Sequence, residues 1–272
     1  MRILTLVEDT AISKEFNSEH GLSLYIEANQ KKILFDVGAS GLFLENARKL
    51  GVDIAAVDYL IISHGHYDHG GGLQTFLQEN KKAKVYLRQE AFATYLSKRS
   101  EEEMKYIGLN EHQKDSSRFI FTLDNQLISD GISVFSNIKI RESLPIANQN
   151  LYMEKNGVIV KDSFLHEQNL VIEEGNKTII ITGCAHNGIV NIMEHFYKWK
   201  NDMPDYVIGG FHLSGRTRTE EPDTIHKIGA YLLKTEATFY TCHCTGETPY
   251  IQLKEILGSR IHYLSAGSHC VL

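Results

Sequence analysis

LIISHGHYDHGGG, residues 60–72, is the stretch on which the reading of this chain turns. Four potential metal ligands, His64, His66, Asp68 and His69, fall within six residues directly after an apolar run. Imidazole nitrogens and a carboxylate oxygen are the donors that a borderline-soft divalent ion such as zinc accepts. The run at 59–62 has the length and β-branched content of a buried strand, and the glycines after Asp68 let backbone approach whatever the loop holds. As the chain leaves such a strand, His64 and His66 can point the same way while Asp68 and His69 come round from the other side of the turn. One loop can therefore serve two ions, each taking two of the four ligands. With 13 histidines in 272 residues a chance pair is easy to find, but a four-member cluster in this order is not.

The surroundings are those of an ordinary soluble protein: 42% hydrophobic and 23% charged residues, enough to bury a substantial core. A net charge of −6 without any basic run argues against a nucleic-acid partner. There is no N-terminal signal pattern and no apolar run of membrane-spanning length, so no membrane partner is expected. Cys184, Cys242, Cys244 and Cys270 all lie in the last third, beside candidate sites, which suits a reduced, cytoplasmic protein. Without a Gly/Ser-rich or Pro-rich linker, the chain reads as one domain, 1–272, of two packed halves, about 1–118 and 119–272. The oligomeric state is left open.

Working outward, residues 1–7 read as an opening strand, and 22–28 with 32–37 as a hairpin joined by the polar turn Asn29, Gln30, Lys31. Asp36 closes that hairpin, either holding the metal loop from behind by hydrogen bonding or serving only as a strand-end turn carboxylate. Helices are expected at 42–50, 73–78 and 90–97, with a strand at 83–87. Residues 98–118 are polar and poorly periodic, and read as a surface insertion near the site mouth, a plain connection or a lid. Short alternating segments at 119–123, 131–135 and 157–160 point to a second, antiparallel sheet region.

Beyond residue 160 one arrangement recurs, a strand-like run ending in a histidine: 178–181 leads to Cys184 and His186, 206–208 to His212, 239–241 to His243, and 263–264 to His269. Ligands in such sheets gather beyond the carboxyl ends of strands. His186 opens a helix expected at 187–199, with its second nitrogen on a backbone carbonyl. His243, in an extended strand, would face opposite to Cys242 and Cys244, leaving the cysteines to pack as small apolar residues. Thr245 and Gly246 lead into a helix whose backbone N–H groups could hold an anionic substrate group. His212 is either a polarising or supporting group or a core histidine, His20 lines the pocket, and His166 is a weaker candidate. His112, His195, His226 and His262 need no role.

HGHYDH fits the HxHxDH signature, and together with EHGLSLYIE (19–27), ILFDVG (33–38), DSFLHEQNLVI (162–172), ITGCAHNGI (181–189), GGFHL (209–213) and HCTG (243–246) the chain resembles the metallo-β-lactamase superfamily. The subgroup it looks like contains proteins named dihydropterin-ribofuranosyl-aminobenzene-phosphate synthases. The resemblance implies an αββα sandwich, an α/β fold of two mixed sheets face to face with helices outside. It implies two divalent ions, zinc first and iron or manganese as alternatives. One would be held by His64, His66 and His186, the other by Asp68, His69 and His243. Many superfamily members place a bridging Asp where Cys184 stands here, making Cys184 a candidate bridge or supporting residue.

The implied activity is metal-dependent hydrolysis of a small ester or phosphoester. A shared water acidified to hydroxide attacks, Asp68 orients it, and His212 assists the electrophile or leaving group. Phosphorylated or pterin-like substrates are compatible with this. The rivals are a transferase of the dihydropterin or phosphoribosyl type using the same centre, and a di-iron redox protein on the same fold. The second of these would want a carboxylate where His66 stands.

Overall fold

The structure, a computed structural model, describes residues 1–110 and 116–272. His112 and part of the 98–118 insertion lie outside the described residues. The chain opens with strands β1 (Arg2–Val7), β2 (Ser23–Ala28) and β3 (Lys31–Phe35), then helix α1 (Leu42–Lys49). Strand β4 (Tyr59–Ile61), the short helix α2 (Tyr67–Gly70), α3 (Leu73–Glu79) and β5 (Lys84–Leu87) follow. Next come β6 (Tyr95–Lys98), β7 (Met104–Tyr106), β8 (Phe119–Phe121), β9 (Asn125–Ser129) and β10 (Ile132–Ser136). After β11 (Leu151–Lys155), β12 (Val158–Lys161), β13 (Gln168–Glu174) and β14 (Lys177–Thr182), strands and helices alternate: α4 (Ile189–Lys200), β15 (Tyr206–Gly209), α5 (Pro222–Lys234), β16 (Thr238–Thr241), α6 (Glu247–Leu257). Strands β17 (Ile261–Tyr263) and β18 (His269–Val271) close the chain.

Alternating side chains sort these elements into layers. In the strand period of two, Ile33 and Phe35 face one side and Leu34 the other. Ile3, Ile33, Phe35 and Ile61 of one sheet meet Leu170, Ile172 and Ile181 of a second in the central layer. The outer face of the first sheet, with Leu4, Leu34 and Leu60, receives α1 and α3 through Phe43 and Phe76. The outer face of the second, with Val171, Ile180 and Val207, receives α4, α5 and α6 through Phe196, Leu232 and Leu253. Each such large side chain contributes about 1.5–3 kcal/mol by leaving water. The result is the αββα sandwich.

Each sheet is mixed. The first runs β18-β1-β2-β3-β4-β5-β8, antiparallel as far as β3 and parallel from there. The second runs β17-β16-β15-β14-β13-β10-β9, parallel as far as β14 and antiparallel beyond. The β2–β3 turn bends through Asn29 and Gln30, both with positive φ, the geometry that matches the twist of the flanking strands.

Three expectations fail here. Residues 90–97 are not a helix: a 3-10 turn at Gln89–Phe92 leads into β6, where Tyr95 and Ser97 are buried and Leu96 and Lys98 half-buried in the strand period. Strand β6 pairs with β7 and β11, so part of the supposed surface insertion joins β12-β11-β6-β7, a four-stranded sheet. Finally, β8 pairs parallel to β5 at the edge of the first sheet, β12 joins the small sheet, and only β10 of the three segments at 119–160 enters the second sheet. With β18 also in the first sheet, and β6 and β7 joined to β11 and β12 in the small one, sheet membership crosses the division at residue 118.

Candidate metal centre

The exits of β1, β3, β4, β14, β15 and β16 open on one edge of the sandwich and carry Asp9, Asp36, His64, His186, His212 and His243. Four non-glycine residues at these exits, Asp36, Ala185, His212 and His243, have φ of 50° to 58°. Left-handed backbone costs a non-glycine residue about 1–3 kcal/mol and persists only where rigid surroundings impose it. Here it turns the chain sharply enough to aim each side chain across the strand ends.

Two groups of donors result. His64 Nε2 lies 3.3 Å from His186 Nε2, and His64, His66 and His186 offer ligand atoms within 4.8 Å of one another. In the second group His69 Nε2 is 3.3 Å from His243 Nε2, and Asp68 Oδ2 is 3.8 Å from the first and 3.5 Å from the second. The His64 and His69 rings, 4.1 Å apart, adjoin across the boundary. Cys184 Sγ sits 3.1 Å from His69 Nε2 and groups with His64 and His69, so it touches both sets.

The far sides of these imidazoles are anchored. His69 Nδ1 donates to Asp36 Oδ2 at 2.6 Å, His243 Nδ1 to Asp9 Oδ1 at 2.6 Å and His186 Nδ1 to Asn148 Oδ1 at 2.9 Å. His64 Nδ1 meets Ser63 Oγ at 2.8 Å, and that hydroxyl donates to Asp36 Oδ2 at 2.7 Å. Acceptors on Nδ1 fix the proton there and turn the Nε2 lone pair inward. Burial pushes His64, His66 and His186 below the usual imidazole range, keeping them neutral near pH 7. Burial would raise Asp68, but His243, His69 and His20 around it hold its carboxyl far below the usual range. For His243 burial acts downward, and Cys244, Asp68 and Asp9 outweigh it and push it up. Buried neutral imidazoles at His64, His66 and His186, with an ionised Asp68 beside His69 and His243, are a donor set that fits divalent cations.

Residues 18–213 match the family model described as metallo-beta-lactamase superfamily. This chain belongs to that superfamily. An uncharacterized protein of Methanocaldococcus jannaschii is 31% identical over 93% of this chain and 94% of its own length. A 7,8-dihydropterin-6-methyl-4-(beta-D-ribofuranosyl)-aminobenzene-5'-phosphate synthase of the same organism is 32% identical over 90% of this chain and 88% of its own. The crystal structure of Tm1679, titled a metal-dependent hydrolase of the beta-lactamase superfamily, superposes with a TM-score of 0.85 at 33% identity, covering 100% of this chain and 99% of that one. A metallo-β-lactamase fold implies divalent metal binding, and the donor groups above are this member's candidate sites for it.

Within that superfamily frame the remaining candidates divide. Asp36 sits behind the loop and binds both the Ser63 amide, at 2.7 Å, and His69. His212 is 8% exposed, its ring 4.1 Å from His186, and both its ring nitrogens are buried without a hydrogen-bond partner among the described residues. His20 is exposed, bonded to Asp9 at 2.8 Å, with Nε2 3.4 Å from Asp68 Oδ2. His243 is not in an extended strand: β16 ends at Thr241, and His243–Thr245 forms a 3-10 turn. Cys242 packs between the sheets, whereas Cys244 does not pack as a plain apolar residue but groups with Cys184 and His243.

The anion-binding role expected of Thr245 and Gly246 fails, because their N–H groups already donate to Cys242 and His243 carbonyls inside that turn. His186 pairs its second nitrogen with a side-chain amide, not the expected backbone carbonyl. His269 lies exposed on the edge strand β18, paired with Leu4, and joins no donor group.

Glu8, Asp9 and Asn148 of the centre escaped the sequence reading. Asp9 and Asn148 each orient an imidazole, and Glu8 accepts from the His243 amide at 2.6 Å. His166, rated weak, takes the Gly65 amide at 2.9 Å on Nδ1 and faces Asp162 at 3.1 Å on Nε2, so it braces the loop from behind. Glu167 receives the His186 and Asn187 amides. The strand-exit pattern that singled out His186, His212 and His243 would have found Asp9 had it been applied to β1. Nothing comparable marks Asn148.

Proposed function

We propose that the chain is a metal-dependent hydrolase holding two divalent cations, zinc first among them, and acting on a small ester, phosphoester or related molecule. His64, His66 and His186 hold one cation, and Asp68, His69 and His243 the other, with Cys184 between them. The observation that carries this reading is the orientation of four imidazoles, each anchored through Nδ1 with Nε2 turned to the common centre. Cations bound there supply Lewis acidity and a water acidic enough to act as nucleophile near neutral pH.

The chain's own residues do the rest. Asp68 Oδ2, reaching His20, His69 and His243, orients the attacking water. His212, buried beside His186 at the floor of the cleft, donates to the electrophilic oxygen or to the leaving group. Burial pushes the Cys184 thiol up, so the uncoordinated group stays protonated near neutral pH.

The test joins metal analysis of purified protein to turnover of chromogenic esters and phosphodiesters. About two zinc equivalents, chelator-sensitive turnover, and loss of turnover in Asp68→Asn with an unchanged circular dichroism spectrum are expected. Full activity in Asp68→Asn would defeat the assignment. The 32% identical synthase favours a second reading, group transfer at the same centre. A condensed product from a phosphoribosyl-type donor and an aromatic acceptor, without hydrolysis of simple esters, would select it.

A further inference from the structure

A cleft of about 570 Å³ opens above the donor groups, with Cys184, His186 and His243 among its lining residues. Three arginines also line it from two separate elements. Arg99 follows β6 in the small sheet, and Arg216 and Arg218 stand on the loop between β15 and α5. That loop is held in shape by Gly215 N donating to Arg218 O at 2.8 Å, and tied across the cleft by Asn150 Nδ2 on Thr217 Oγ1 at 2.6 Å.

No carboxylate among the described residues lies within ion-pair distance of any of the three guanidiniums. Arg99 Nε is buried without a hydrogen-bond partner among those residues, a costly state for a charged donor. The carboxylates that line the same cleft are already engaged: Asp9 lies between His20 and His243, and Asp68 among His20, His69 and His243. In a chain of net charge −6, three cations without a carboxylate partner among the described residues, facing one cleft, create a local positive field that draws anions in.

We propose that Arg99, Arg216 and Arg218 form an oxyanion clamp that holds a phosphate group of the substrate at the cleft mouth, apart from the bond broken over the imidazoles. The planar fork of a guanidinium matches phosphate oxygens two at a time, and three forks from two elements suit a dianionic phosphate monoester better than a carboxylate. The clamp deepens the hydrolase reading by naming a substrate class, and rests on that reading only in treating the cleft as the substrate chamber.

Inorganic phosphate is the probe, titrated calorimetrically into purified, zinc-supplemented wild type and into Arg99→Ala, Arg216→Ala, Arg218→Ala and the triple variant, with zinc content measured on each sample. Affinity should fall roughly tenfold for each guanidinium removed, return only in part with lysine, and weaken as sodium chloride is raised. Zinc content should be the same throughout. A triple variant that binds phosphate as tightly as wild type would mean that the cations alone hold the anion, and the clamp would be lost. Wild type that binds no phosphate would overturn it equally. A chain that takes up no zinc yet shows arginine-dependent phosphate binding would sink the hydrolase reading and uphold the clamp.

Discussion

Ser63 is shared three ways: its amide and hydroxyl both go to Asp36, and its oxygen receives His64. Gly183, at the exit of β14, passes so close that a Cβ there would come within 2.2 Å of Ser63 Oγ and 3.2 Å of His64 Nδ1. Gly183→Ala is therefore expected to push the hydroxyl aside and release His64 from its orientation. Loss of such an outer partner costs 10–100-fold in metal affinity as an order of magnitude, which competition with a chromogenic chelator would read. Unchanged affinity would show that His64 needs no anchor. At this scale the loop ligands were legible because His64, His66, Asp68 and His69 are contiguous. Asp9 and Asn148 were not, because neither has a distinctive neighbourhood and their partners stand 234 and 38 residues away.

Strand β6 marks the limit of reading elements one at a time. Residues 90–97 contain good helix formers, and helix propensity differences of well under 1 kcal/mol per residue are overridden by pairing with β7 and β11 and by the seating of Tyr95 against His66 and His166. Helix α4 obeyed its pattern, since its apolar face at Ile192 and Phe196 packs where the period of 3.6 puts it. On that helix His195 stacks on Phe135, and burial, with Lys139 and Lys198 adding to it, lowers the imidazole below its ordinary 6.5. The unfolded chain then binds more protons between the folded value and 6.5. The contribution is full above about 6.5 and is lost as pH falls through the folded value. His195→Gln should flatten that part of the stability curve in urea titrations run between pH 7 and 5. An unchanged acid slope would place the proton uptake elsewhere.

Across the whole molecule, the centre joins parts of the chain that meet nowhere else along it. The two imidazole pairs whose Nε2 atoms meet at 3.3 Å are 122 and 174 residues apart in sequence, one partner from each sheet's strand exits. Cations bound there would tie the two sheets together at their open edge, and a ligand that binds only the folded state stabilises it by mass action. At a thousand times its dissociation constant zinc should contribute roughly 4 kcal/mol, on the order of 10 °C in melting temperature. Differential scanning fluorimetry with and without chelator would check this, and identical melting curves would argue against cations spanning the sheets. Among the described residues no helix is long and apolar enough to cross a membrane, and all four cysteines are free.

The sequence by itself displayed the metal loop and, through two-residue and 3.6-residue apolar periods, most of the strands and helices around it, because both signals are local; the layered αββα architecture was implied by family resemblance. Tertiary structure alone decided which strands share a sheet, that residues 95–98 are strand, and that Asp9, Asn148 and His166 serve the centre while His269, Thr245 and Gly246 do not serve it as expected. Strand pairing and the convergence of strand exits depend on contacts between residues a hundred or more apart, and no local period of the chain carries that information.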